Sequence, residues 1–268
     1  MKQEAPLAGV VDIAGNLTNK AFREDLPAVL ARAASAGVAA IVVAGVSLET
    51  TRRGLALAQA PHPVRLVATA GFHPHHASDA TPSALKEIAD LARDAVAVGE
   101  CGLDYNRNFS PPDAQRRAFE AQLEIAAGLG KPVYLHERDA HDDFVTILER
   151  WRPRLVGGVV HCFTGTRAAM ERYLGLDLHI GFTGWLCDER RGTHLRPLVT
   201  EVPAGRIMVE TDAPYILPRD LPERPRSGRN EPAYVMHVAR VIAELRQESP
   251  EAFAAHTTAT ARALFASF

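Results

Sequence analysis

Short apolar runs rich in Val and Ile alternate with longer amphipathic stretches along the chain, and most of the short runs hand over to a residue that can bind metal or move a proton. Val10 and Val11 begin the first run, which ends at Asp12 before a turn through Ile13, Ala14, Gly15 and Asn16. A helix is predicted over Leu26 to Ala36, stopped by Gly37, the residue that best tolerates the left-handed end of a helix. Ala40 to Val46 is too short for a helix and reads as a strand, and Ser47 caps the helix after it. Val64 to Ala70 is the third strand; it leads into Gly71-Phe72-His73-Pro74-His75-His76, and Thr81-Pro82 opens a helix to about Arg93.

Ala95 to Val98 is the fourth predicted strand, running into Gly99-Glu100-Cys101-Gly102-Leu103-Asp104. Pro112 starts the longest helix, which stops at Gly130. Pro132 to Leu135 delivers His136, with a helix over His141 to Trp151 behind it. Val159 and Val160 deliver His161, and a helix follows over Arg167 to Leu174. His179 to Phe182 is the seventh strand, followed by a helix from Asp188 to Val199 that Pro197 breaks late. Ile207 to Val209 ends in Glu210-Thr211-Asp212, helix resumes from Glu231, and Ser249-Pro250 caps the last one.

Strands alternating with helices indicate parallel β/α units. Eight of them in one chain of 268 residues, with no linker or compositional break, point to a single α/β domain over residues 1–268, a TIM (β/α)8 barrel, whose active site lies on the loops after the strands. The rival, a doubly wound sheet, would gather its polar residues at one switch point rather than after most strands.

Composition narrows the partners. A formal charge of -2 and a pI near 6.6 exclude a globally basic nucleic-acid binder, so an anionic substrate needs a local basic patch or a metal. No apolar run approaches the roughly 20 residues of a membrane span. The polar start Met1-Lys2-Gln3-Glu4 lacks a signal-peptide core, and three cysteines, Cys101, Cys162 and Cys187, show no C-x-x-C spacing. A reducing, cytoplasmic location and a monomer are expected.

The candidate chemistry lies at the strand ends. A lone histidine after a strand is more often a satisfied polar residue than a ligand, but Glu100, His136, His161 and Asp212 come from four separate strands and would meet at one mouth. Two imidazoles and two carboxylates suit Mg²⁺, Mn²⁺ or Zn²⁺. A cation there would polarise a phosphoryl or carbonyl oxygen and lower the pKa of water toward about 7. Asp212 would take the water's proton, with a fourth-ligand or helix-capping role as its alternatives. His73 and His75 could donate to substrate oxygens, Arg138 could contact substrate, and Asp139 could orient a ligand histidine. The stretch from Pro218 to Asn230 carries Arg219, Arg224, Arg226 and Arg229, a basic patch suited to phosphates. Phe109, Trp185 and Tyr215 are loop aromatics able to stack on bases.

Four motifs, Gly99-Glu100-Cys101-Gly102-Leu103-Asp104-Tyr105, His136-Glu137-Arg138-Asp139-Ala140, His161-Cys162-Phe163-Thr164-Gly165 and Glu210-Thr211-Asp212-Ala213-Pro214-Tyr215, occur in an order that resembles the TatD family of metal-dependent deoxyribonucleases, from Val11 to Phe268. The resemblance implies a metallo-dependent hydrolase barrel and 3′–5′ exonuclease action on single-stranded DNA, with RNA a second substrate, in DNA repair or degradation. It implies metal ligation by Glu100, His136, His161 and Asp212, with Glu100 and Asp212 catalytic, and it puts His73 and His75 in the substrate pocket. Many members begin with Asp-x-His-x-His; here the positions read Asp12-Ile13-Ala14-Gly15-Asn16, so two imidazoles are missing. Asn16 offers only a weak oxygen ligand or a substrate contact, which favours Mg²⁺ recruited with the phosphate over tightly held Zn²⁺. Two other readings stay open: an amide or ester hydrolase for a small molecule or aminoacyl-tRNA on the same barrel, and a non-catalytic protein with a degraded metal site.

Overall fold

In the computed structural model, residues 9–266 are described, and eight strands form one parallel sheet in chain order. They are β1 (Val10–Gly15), β2 (Val38–Val43), β3 (Arg65–Ala70), β4 (Ala97–Asp104), β5 (Val133–Arg138), β6 (Gly158–Val160), β7 (His179–Phe182) and β8 (Ile207–Val209). The helices are α1 (Leu26–Ala36), α2 (Leu48–Gln59), α3 (Pro82–Leu91), α4 (Pro112–Leu129), α5 (His141–Trp151), α6 (Arg167–Gly175), α7 (Leu195–Val199), α8 (Val235–Leu245) and α9 (Pro250–Phe265). The eight-unit barrel expected from the pattern is the fold. Its seam closes just beyond β8, where Gly15 bridges Ala213, the Asp212 N–H donates to Ala14 O (2.9 Å) and the Asn16 N–H to Ala213 O (2.8 Å). The Met1–Glu4 start and Phe268 fall outside the described residues.

Alternation along the strands sorts the apolar residues into two cores. Val11 and Ile13 of β1, Ala40 and Val42 of β2, Tyr134 of β5 and Met208 of β8 fill the barrel, joined by Ala261 and Phe265 of α9. Their strand neighbours Val10, Ile41, Val43, Val133, Leu135 and Val209 face the helices. Each large side chain buried this way contributes roughly 1.5–3 kcal/mol of transfer free energy. The helix ends follow their sequence signals. Ser47 and Thr50 form a reciprocal capping box on α2, Thr81 and Ser249 cap α3 and α9, and Gly37 and Gly130 close α1 and α4 with φ of 98° and 61°.

Several expected boundaries shift, three of them with consequences for the site. β1 continues past Asp12, and β4 runs to Asp104, so Glu100 sits inside a strand. Two glycines in β4 serve a close approach: a Cβ on Gly102, at φ +144°, would lie 1.9 Å from His136 O, and one on Gly99 2.1 Å from Tyr134 O. The helix expected from Asp188 exists only as α7. Asp188 accepts the Arg190 N–H (2.9 Å) with its side chain and the Gly192 N–H (2.7 Å) with its carbonyl, a local turn that competes with helix. Among the described residues, no helix is long and apolar enough to cross a membrane.

Candidate metal centre and substrate cleft

Period-two geometry carries the chemistry into the barrel mouth. Cys101 and Leu103 of β4 pack outward among apolar residues, so Glu100 and Asp104 share the opposite face; on β5, His136 alternates with Leu135 in the same way. Beyond β5, β6 and β8, Asp139, Cys162 and Asp212 take left-handed backbone conformations, with φ of 53°, 49° and 53°. Such a conformation costs a residue with a Cβ about 1–3 kcal/mol and clusters at functional sites.

One oxygen is the focus. Glu100 Oε1 lies 2.7 Å from His161 Nε2, 3.0 Å from His136 Nδ1 and 3.3 Å from His73 Nε2. Behind this ring stand two more carboxylates. Asp104 Oδ2 lies 2.7 Å from His75 Nε2 and 3.4 Å from His136 Nε2, and Glu210 Oε2 lies 3.4 Å from His161 Nδ1 while its other oxygen takes the Cys162 N–H. Burial works against the charge on Glu100, yet the surrounding imidazoles hold its carboxyl well below the usual range. Burial also opposes charge on His136 and His161, but contacts with Asp104 and Glu100, and with Glu100 and Glu210, raise both above their ordinary value. His73 is the exception: burial outweighs Glu100 and lowers it to about 4, so it is neutral at pH 7.

The donor atoms suit a divalent cation. Among the described residues, His73, Glu100 and His136 place ligand atoms within 4.8 Å of one another, and His161 joins through Glu100. His136 Nε2, His161 Nδ1 and Glu210 Oε2 are buried without a properly aligned hydrogen bond, a deficit that a bound cation or its ordered water would remove. His73 fits the set less well. Its Nδ1 accepts the His75 N–H (3.1 Å), so the ring proton sits on Nε2 and points a donor, not a lone pair, toward Glu100.

Asp212 is half-enclosed at the same mouth. Burial, partly offset by His161 and reinforced by Glu100 and Glu210, raises it to about 7, and the Asn16 side-chain amide holds its Oδ1 at 2.8 Å. Asp12, expected at the mouth, instead clamps the barrel seam: its oxygens accept the Ala14 and Thr211 N–H groups and the Thr211 hydroxyl at 3.2, 2.9 and 2.6 Å. Burial raises it to about 7.

Past the ends of β5 and β6 lies a cleft of about 630 Å³ lined by Tyr105, Arg138, Asp139 and Thr164, and a hollow of about 380 Å³ shares Arg138 and Thr164 and adds Trp185, Arg191 and His194; both lie beside the centre, and neither is lined by Glu100, His136, His161 or Asp212. The Arg191 guanidinium lies 5.9 Å over the Trp185 ring. Phe109, 67% exposed, packs edge-on against His75, and Tyr215 is 53% exposed. Arg219 is half-exposed and only loosely paired with Asp188, at 3.8 Å.

Two expected roles change. Arg229 makes paired bonds to Asp25 (2.7 and 2.8 Å) and reaches Glu231 (2.8 Å), so its charge is spent on holding its loop to the start of α1 rather than being free for phosphate. Asp139 accepts from the Asn106 amide (2.8 Å), not from a histidine. Asp104 holds the histidines instead. Its signal is its place four residues after Glu100 on the same strand face, which a strand ending at Val98 does not reveal. Glu210, wholly buried behind His161, was visible only as a charge at the end of an apolar run.

Similarity to known proteins extends over nearly the whole chain. The model of a family described as TatD related DNase matches residues 11–266. The 3′-5′ ssDNA/RNA exonuclease TatD of Erwinia billingiae is 49% identical over 257 residues, covering 95% of this chain and 98% of that protein. The protein of the same name from Salmonella typhimurium is 48% identical over 257 residues, covering 95% and 98%. Among solved structures, the TatD homologue YJJV of Escherichia coli superimposes with a TM-score of 0.87 at 30% identity, covering 96% of this chain and 98% of its own.

Proposed function

Given that this chain belongs to the TatD related DNase family, we propose that it is a metal-dependent 3′–5′ exonuclease that shortens single-stranded DNA, and RNA with it, in DNA repair or turnover. The observation that supports this most is the convergence of three imidazole nitrogens on Glu100 Oε1 beside the half-buried Asp212. Glu100, His136 and His161 would hold the cation, with Asp212 a further ligand; the carboxylates admit Mg²⁺, the ion we favour because it can be recruited with the phosphate, and the imidazoles admit Mn²⁺ or Zn²⁺. Once bound, the cation supplies Lewis-acid polarisation of a phosphoryl oxygen and a water of lowered pKa.

The chain's own residues do the rest. Asp212, with Oδ1 held by Asn16, accepts the attacking water's proton on Oδ2. His73 donates from Nε2 to a phosphate oxygen, and His75, fixed on Asp104, stands beside it. Asn16 keeps its carbonyl for substrate, since its amide is taken. Arg138, between the two hollows, and Arg219 neutralise the strand's phosphates, while Phe109, Tyr215 and Trp185 offer faces on which bases stack. Arg229 acts by positioning the loop that bears Arg219. We further propose a monomeric, single-domain, cytoplasmic enzyme; the buried free thiols Cys101 and Cys187 support a reducing compartment.

A 3′-labelled single-stranded oligonucleotide tests this. Stepwise shortening with Mg²⁺ that chelator abolishes is expected. Its absence with Mg²⁺, Mn²⁺ and Zn²⁺ alike would move the assignment to amide or ester hydrolysis at the same mouth.

A further inference from the structure

A second cluster of ligating side chains is built from other parts of the barrel. Cys187 ends a single 3-10 turn, Gly184–Cys187, just after β7; Asp220 belongs to the irregular stretch between β8 and α8; His237 is in the first turn of α8. One atom from each, a sulfur, a carboxylate oxygen and an imidazole nitrogen, lies within 4.8 Å of the other two. Asp220 is the bridge: its Oδ1 lies 2.7 Å from His237 Nε2, and its carboxylate shares the 4.8 Å cluster with the Cys187 sulfur. Cys187 is 1% exposed, whereas Asp220 and His237 keep one side open to water.

We propose that Cys187, Asp220 and His237 form a second metal site, selective for Zn²⁺, that ties the Arg219 loop to the barrel. The donor set decides the ion. A thiolate is a soft ligand that Mg²⁺ does not take, whereas sulfur, imidazole and carboxylate together suit Zn²⁺, with water as the fourth ligand on the open side. Charge closes as well: the thiolate and the carboxylate match the dication. Binding sends the thiol proton to solvent and leaves His237 with its single proton on Nδ1. Without a cation, burial pushes the thiol well up and keeps it protonated, so the sulfur ionises only with the ion.

The site has a purpose that its neighbours define. The segment between β8 and α8 lacks regular structure over Pro218 to Asn230. Arg219 precedes Asp220 and faces Asp188, the residue after Cys187. A cation on Cys187, Asp220 and His237 therefore fixes where Arg219 stands. This inference goes beyond the nuclease reading and does not depend on it.

The test uses Co²⁺ as probe. Chelator-treated protein is supplied with excess Mg²⁺, to occupy the oxygen and imidazole centre, and titrated with Co²⁺. A sulfur-to-cobalt charge-transfer band in the near ultraviolet, saturating at one ion and erased by Zn²⁺, is expected. Cys187→Ser should abolish the band, and Asp220→Asn, at an exposed position that leaves the core intact, should weaken Co²⁺ binding at least about tenfold with an unchanged far-ultraviolet spectrum. Absence of the band in the parent protein, or a band that survives Cys187→Ser, overturns the proposal. So does Asp220→Asn protein that binds Co²⁺ as tightly as the parent.

Discussion

His73 accepts the main-chain N–H of His75 on its Nδ1, at 3.1 Å, and this one bond leaves the ring's proton on the nitrogen that faces Glu100. His73 and His136 look alike in a list of ligands yet differ in kind. His73→Ala should lower kcat/KM by about 10²-fold, the usual loss for one oriented donor, while Mn²⁺ affinity changes less than about twofold. His136→Ala should weaken Mn²⁺ by about 10–100-fold. Calorimetric titration of both variants beside steady-state rates separates the roles; a comparable loss of Mn²⁺ affinity in His73→Ala would make it a ligand.

Asp212, raised to about 7 by burial, is ionised only above that pH in the cation-free protein. A general base must be ionised to act, so activity should climb with pH along an acid limb. A bound cation favours the carboxylate and moves that limb below about 7. Asp212→Asn should lose about 10²–10⁴-fold in rate and the limb with it. A pH–rate profile that keeps its acid limb in the variant would assign the limb to another group.

His136 and His161, both raised by their carboxylate partners, hold protons that a divalent ion must displace. Metal binding should therefore release protons and tighten as pH rises through neutrality. Calorimetry in two buffers of different ionisation enthalpy reads this directly. Equal apparent enthalpies in both buffers would mean that the imidazoles are already neutral.

Asp12 gives a prediction for stability. Between the ordinary carboxyl value of 3.8 and about 7, the folded chain keeps a proton that the unfolded chain has lost. Stability contributed by this residue thus falls as pH rises through that window and is level above it. Asparagine imitates the protonated acid toward Thr211. Asp12→Asn should be more stable than the parent at pH 8 by on the order of 1 kcal/mol, roughly 2–4 °C in Tm, with the gain shrinking toward pH 4. Thermal melts across that range would contradict this if the variant lost stability at pH 8.

The barrel could be read from the chain because its strands obey period two, and its helices carry caps such as Ser47, Gly37 and Thr81 that act locally. Glu100, His136 and His161 could be read because each ends or follows an apolar run. What the chain concealed depends on distant partners. Asp104 became visible only once β4 was seen to extend past Gly102, which is glycine because His136 O lies against it. The commitment of Arg229 to Asp25 joins residues 204 positions apart, and no local pattern announces it. The tautomer of His73 is fixed by a backbone bond within a 3-10 turn that begins at Pro74, again invisible to composition.

The two halves of the site also rest on ground of unequal stiffness. Glu100, Asp104 and His136 ride on β4 and β5, which pair at Val98 and Val133 and, after a register shift that spans Glu100, again from Cys101 and Leu135 to Asp104 and Arg138. Asp212 and Asn16 sit on the seam between β8 and β1, which has no continuous ladder and is held shut by a single bridge, two flanking main-chain bonds and the Asp12 side chain on Thr211. Mild warming or denaturant will therefore loosen the proton acceptor while the ligand cage is still firm, so the protein will lose turnover before it loses its ion.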